Sequence, residues 1–84
     1  MNASSTSTAA QRARLLAYLS DSGPINTIQA RNSLNIMMPA ARVKELRAQG
    51  HGIDTVFITA LDGEGRSHRR VALYVYRNAP EVSK

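Results

Sequence analysis

The side chains in this sequence best suited to recognition chemistry are its arginines. Arg42 stands in the run Pro39-Ala40-Ala41-Arg42-Val43-Lys44-Glu45-Leu46-Arg47, and Arg66, His68, Arg69 and Arg70 crowd together further on. A guanidinium fork can donate two parallel hydrogen bonds to a guanine edge or to a phosphate. Small Ala41 leaves room for close approach beside Arg42. This places Arg42 as a base reader, with Met38, Pro39, Ala41 and Glu45 around it. Arg66, His68, Arg69 and Arg70 form a second group suited to nucleic-acid backbone, and Arg12, Arg14, Arg31 and Lys44 are further candidates for phosphate contacts. Plainer alternatives stay open. Arg42 can bind phosphate or simply be solvated. Glu45 can accept from cytosine or pair with Arg42 or Arg47, and the intrahelical pair is the favoured reading. The later arginines can also serve only to keep an edge strand soluble.

Other chemistries lack their parts. His51 and His68 are the only histidines and there is no cysteine, so neither a disulfide framework nor a metal site is expected. His51 suits the end of a helix, where a cation favours the dipole. Asp62, Ser67 and His68 are close in sequence but fall in and just after a turn, and a catalytic triad is a matter of geometry. Gly63-Glu64-Gly65 lacks the third glycine and following helix of a dinucleotide loop. The expectation is a non-enzyme without catalytic residue or cofactor. Tyr74 and Tyr76 suit core or dimer packing, and Met37 and Met38 packing or an apolar protein contact.

Such arginines need elements to hold them. Ser7 or Thr8 can cap a helix beginning near Ala9. Its apolar stripe runs through Ala13, Leu16 and Ala17, with Leu15 and Leu19 beside it, and Asp21-Ser22-Gly23-Pro24 ends it. Asn26 with Gln29 three residues on forms a capping box for a short helix over Thr27 to Leu34. Asn35 tolerates the left-handed conformation that closes it, and Ile36 is apolar and suited to burial. Pro39 then fits the first position of a third helix, closed by Gly50, with Val43 and Leu46 facing the core and Ala40 beside them. After Gly52 the pattern turns extended. Ile53 to Leu61 and Arg69 to Arg77 read as two strands around the turn Asp62-Gly63-Glu64-Gly65, where Asp-Gly supplies positive φ. Ala72, Tyr74 and Tyr76 fall on one face and Val71, Leu73 and Val75 on the other; either can be the buried one. Ile25 can add a very short third strand.

Helix, helix, helix, hairpin is an α+β order, the layout of a winged helix-turn-helix: three helices followed by a β-hairpin wing. The domain is expected over residues 9–77. A Ser/Thr-rich stretch without charge, 1–8, reads as a disordered tail, and 78–84 as a flexible one. The segments Gln11-Arg12-Ala13-Arg14-Leu15-Leu16, Leu34-Asn35-Ile36, Pro39 to Arg47, Gly50-His51-Gly52-Ile53 and Arg70 to Val75 resemble the small winged helix-turn-helix proteins of bacteriophages and prophages. The resemblance covers about residues 9–77, nearly all of the expected domain. It implies a winged-helix fold and DNA binding. Asn35 stands where such motifs usually have Gly, and two methionines precede Pro39 where polar residues often open a reader helix.

Composition agrees with that direction. Eleven Lys and Arg stand against six Asp and Glu in 84 residues, a net charge of +5. One small domain is all this length holds, and its basic excess suits a polyanionic partner. No apolar run is long enough to span a membrane, and the N-terminus lacks a secretory signal pattern, so a cytoplasmic chain in a bacterial host is expected. The first functional reading is a sequence-specific double-stranded DNA-binding protein in transcriptional control, as a homodimer or in tandem copies on half-sites. The second, of a different class, is a phage module that engages and inhibits a host protein, with Met37, Met38, Leu73 and Val75 exposed as its contact.

Overall fold

The computed structural model describes residues 7–77. The expected tails fall outside this range except for Ser7 and Thr8, and both belong to the start of a helix. α1 runs Thr8–Asp21, with the Ser7 side chain as its cap, accepting from the Ala10 N–H at 3.1 Å. Leu15 and Leu19 are its buried residues, with Leu16 packed beside them. Ala13 and Ala17 are exposed, so the apolar stripe is centred on the leucine pair. The physical reason is area: a leucine side chain removes far more apolar surface from water than an alanine does, and it sets the helix rotation.

A two-residue strand β1, Ile25–Asn26, leads into α2, Thr27–Leu34. The Asn26–Gln29 capping box is formed in both directions, and Asn35 closes the helix at φ 56°, ψ 45°, in the left-handed region. Ile36 is fully buried beneath the turn, its N–H bonded to Ala30 O at 3.2 Å. α3 runs Pro39–Ala48 and buries Pro39, Val43 and Leu46. Ala40, expected beside them, is exposed. At 3.6 residues per turn it lies about 100° round the helix from Pro39, too far to share the core face.

Strands β2, Ile53–Leu61, and β3, Ser67–Tyr76, form the hairpin, and β1 adds to the free edge of β3, giving the antiparallel order β1-β3-β2. The short third strand decides the question of faces. Ile25 pairs with Tyr74, and Thr55 pairs with it from the other side. Tyr74 is therefore central and buried, and Ala72 and Tyr76 pack against the same core as Leu15, Ile25, Ile36 and Leu46. In the hairpin turn the positive φ sits at Gly65, at 83°, and Gly63 does not need it. Asp62 organises the turn instead: its carboxylate accepts from the Glu64 and Arg66 N–H groups at 2.8 and 3.0 Å. No helix among the described residues is long and apolar enough to cross a membrane.

Candidate nucleic-acid interface

The helix-turn-helix is held by polar ties at its joints. Arg14 Nε donates to Leu34 O at 2.8 Å, satisfying a carbonyl at the end of α2. Arg31 Nε donates to Met37 O at 3.1 Å across the turn. Arg47 Nε donates to Ile53 O and its Nη2 to Thr55 Oγ1, both at 2.8 Å, fastening the last turn of α3 to β2. Just beyond α3, His51 Nδ1 lies 3.1 Å from the Tyr76 hydroxyl.

These ties fix which side of α3 faces outward. With Pro39, Val43 and Leu46 turned to the core, the opposite side carries Ala41, Lys44 and Ala48, flanked by Ala40. It is a low-relief surface with one cation, suited to close approach by a groove.

Arg42, expected to read bases, points the other way. Its side chain is only 13 % exposed and donates through Nη2 to Glu45 Oε2 at 3.0 Å and through Nη1 to Gln11 Oε1 at 3.4 Å. Glu45 also takes Arg12 Nη1 at 2.8 Å, so one carboxylate joins α1 to α3. The favoured intrahelical pair is thus present with Arg42, together with a partner from α1. The hydrogen bond from Arg12, reinforced by Arg42, holds the Glu45 carboxyl below its ordinary range. Pro39 is fully buried and offers no surface to a ligand, whereas Met38 is 63 % exposed at the mouth of the turn. Of the expected phosphate contacts, Arg12 and Arg14 are engaged within the fold, while Arg31 and Lys44 are exposed.

The hairpin is irregular where its cations are. Ile58 pairs with Val71 and Ala60 with His68, so Arg69 and Arg70 together stand opposite Thr59. Arg70 takes up the extra residue in a left-handed conformation, φ 55°. A non-glycine β-bulge of this kind re-aims side chains and carries backbone strain. A regular strand sends neighbouring residues to opposite faces. Here His68, Arg69 and Arg70 all line one groove of about 480 Å³, whose other walls include Ile28 and Arg31 of α2, Ala40 of α3 and Phe57 of β2. Arg70 Cζ lies 4.7 Å from the centroid of the Phe57 ring, a cation–π stack. Arg66, by contrast, sits at the tip, paired with Glu64 at 3.2 Å where both side chains are 74 % exposed. Such a pair contributes little. His68 Nε2 lies 2.8 Å from Asp62 Oδ2, and this bond with the turn's N–H groups keeps the Asp62 carboxyl below its ordinary range.

Charge is therefore sorted by place. Glu45, Asp54, Asp62 and Glu64 face Arg12 and Arg42, Arg77, His68 and Arg66 in turn. No carboxylate lines the groove; Arg31, Lys44, Arg69 and Arg70 form no ion pair with a carboxylate among the described residues, and neither does Arg47, whose guanidinium is tied to Ile53 O and Thr55 instead. Ala40 is the link between the two candidate surfaces, since it belongs to α3 and also lines the groove. Sequence reasoning missed Phe57 and Ala40. An aromatic in a β-branched strand reads as ordinary packing, and only its 55 % exposure sets it apart. Among the described residues no three His, Cys, Asp or Glu side chains come together as a metal site.

A family model described as a winged helix-turn-helix domain matches residues 10–79. No protein of curated function and no solved structure matches the chain significantly. The family match spans most of the chain and agrees with the three helices and three-stranded sheet found here, and the chain belongs to the winged helix-turn-helix family.

Proposed function

We propose that this winged helix-turn-helix protein binds double-stranded DNA sequence-specifically and acts, without catalysis, as a transcriptional regulator of phage or prophage origin in the cytoplasm of a bacterial host. The observation that carries the reading is the sorting of charge. Arg31, Lys44, Arg69 and Arg70 are left without carboxylates around the outward side of α3 and the adjoining groove. In this arrangement α3 enters the major groove on Ala40, Ala41 and Lys44, and the wing lies on flanking backbone through Arg69 and Arg70. Arg42 supports the reader helix from behind. With one cation and no base-reading fork outward on α3, discrimination rests on shape and on apolar contact with thymine methyls, and Lys44 adds a phosphate contact. A homodimer on half-sites about one helical turn apart supplies the affinity that one small domain lacks.

A second reading is favoured by Met37 and Met38, adjacent and 66 % and 63 % exposed. It makes the turn an apolar contact for a host protein. Selection from a random double-stranded DNA pool, paired with a pull-down from bacterial lysate, separates the two. The DNA reading expects an enriched motif. Recovery of a stoichiometric protein with no enriched motif contradicts it.

A further inference from the structure

The groove beside the wing holds more than a phosphate contact needs. Its rim is cationic, from Arg31, Arg69 and Arg70, yet it also contains an exposed aromatic ring with a guanidinium stacked on it. Phe57 is 55 % exposed and lies outside the buried core, so the ring is not spent on packing. The stack exists because the bulge holds Arg70 at positive φ, a conformation that disfavours every residue with a Cβ. A solubilising charge on an edge strand requires neither that conformation nor three consecutive side chains in one groove.

A flat apolar platform beside phosphate-binding cations is the arrangement that proteins present to an unpaired base, which stacks on aromatic rings and on guanidinium planes. The volume, about 480 Å³, lies in the range of small-ligand sites. A fully paired duplex cannot fill such a site with a base, because its bases are stacked inside the helix.

We propose that this groove takes one unpaired nucleotide, its base on the Phe57–Arg70 stack and its phosphate between Arg31 and Arg69. The proposal rests on the DNA-binding reading and adds that the protein prefers DNA with a looped-out or single-stranded nucleotide. A free nucleotide offers the same chemistry, and the test distinguishes the two sources.

The experiment compares, at low salt, a duplex of about two helical turns, fully paired, with the same duplex carrying one unpaired thymidine. Free dTMP is titrated separately against backbone amide signals. Each is measured with the wild type and with Phe57→Leu, whose exposed position keeps the fold. The proposal expects about tenfold tighter binding of the duplex with the unpaired thymidine. That difference disappears in Phe57→Leu, both duplexes then binding equally, whatever small change loss of the Arg70 stack makes to the paired one. Amide shifts around Phe57 and Arg70 on adding dTMP, lost in Phe57→Leu and without any preference between duplexes, assign the groove to a free nucleotide. Equal binding of both duplexes with no dTMP response overturns the proposal and leaves DNA binding intact. A preference that survives Phe57→Leu also overturns it. If neither duplex binds, the DNA reading fails, and the groove assignment stands or falls on the dTMP titration alone.

Discussion

Arginine does opposite jobs on the two sides of this domain. Between α1 and α3, Arg12 and Arg42 converge on Glu45, and Arg42 is almost enclosed. Between α2 and the wing, Arg31, Arg69 and Arg70 share a groove with no carboxylate at all. The first cluster spends its charge on holding helices together, since a guanidinium can be buried only when it is paired and hydrogen-bonded. The second has no carboxylate beside it, and in the proposed reading its charge meets DNA phosphate. The net charge of +5 is thus not spread evenly, and the proposed recognition surface follows where carboxylates are missing rather than where arginines are most numerous.

The largest effect expected is on the open side. Replacing Arg31, Arg69 and Arg70 together by Gln lowers DNA affinity about a hundredfold or more at low salt and reduces the log–log salt slope by roughly 3, about one per phosphate contact. Stability falls by only about 1–2 kcal/mol, from loss of the Arg31–Met37 O bond and the Arg70–Phe57 stack. If affinity is unchanged, the groove is not part of the interface. Next comes the closed side. Arg42→Ala lowers unfolding free energy by about 1.5–3 kcal/mol, as for loss of charged hydrogen bonds, and leaves the salt slope as it was. A Arg42→Ala variant of normal stability that loses sequence preference contradicts the comparison. Lys44→Gln is smaller, weakening all duplexes several-fold and lowering the slope by about 1, measured by anisotropy across salt.

The smallest effect is on pH dependence. Glu45 and Asp62 both have carboxyls held below their ordinary range by hydrogen bonds. Their stabilisation is complete at neutral pH. It is lost as pH falls from the ordinary carboxylate range through the lower folded-state values. Urea unfolding near pH 7 and near pH 3 shows the decline, and Glu45→Gln makes it shallower. An unchanged decline in Glu45→Gln means that the α1–α3 carboxylate is not coupled to folding.

Most of the fold was legible because its signals are local. The Asn26–Gln29 box, Asn35 at the turn, Pro39 at the start of α3 and the β-branched run from Ile53 each act within a few residues. The site was legible only in part. Helical spacing puts Arg42 at the flank of the core face, three residues after Pro39 and four before Leu46, and its direction is then set by Glu45 together with Gln11 and Arg12, about thirty positions away on α1. The groove depends on an extra residue in β3, and nothing in Arg69-Arg70 signals a left-handed conformation as Asn or Gly would. Arg69 and Arg70 were nonetheless singled out from charge alone, and both line the groove.

Backbone amide mapping of the protein with a bound duplex tests the sorting of arginines most directly. The account predicts the largest shifts at Ala40, Ala41 and Lys44 of α3, at Arg31, and at His68 to Arg70 of the wing, with Arg12 and Arg14 nearly still. Shifts centred on α1, with the groove residues unmoved, contradict it.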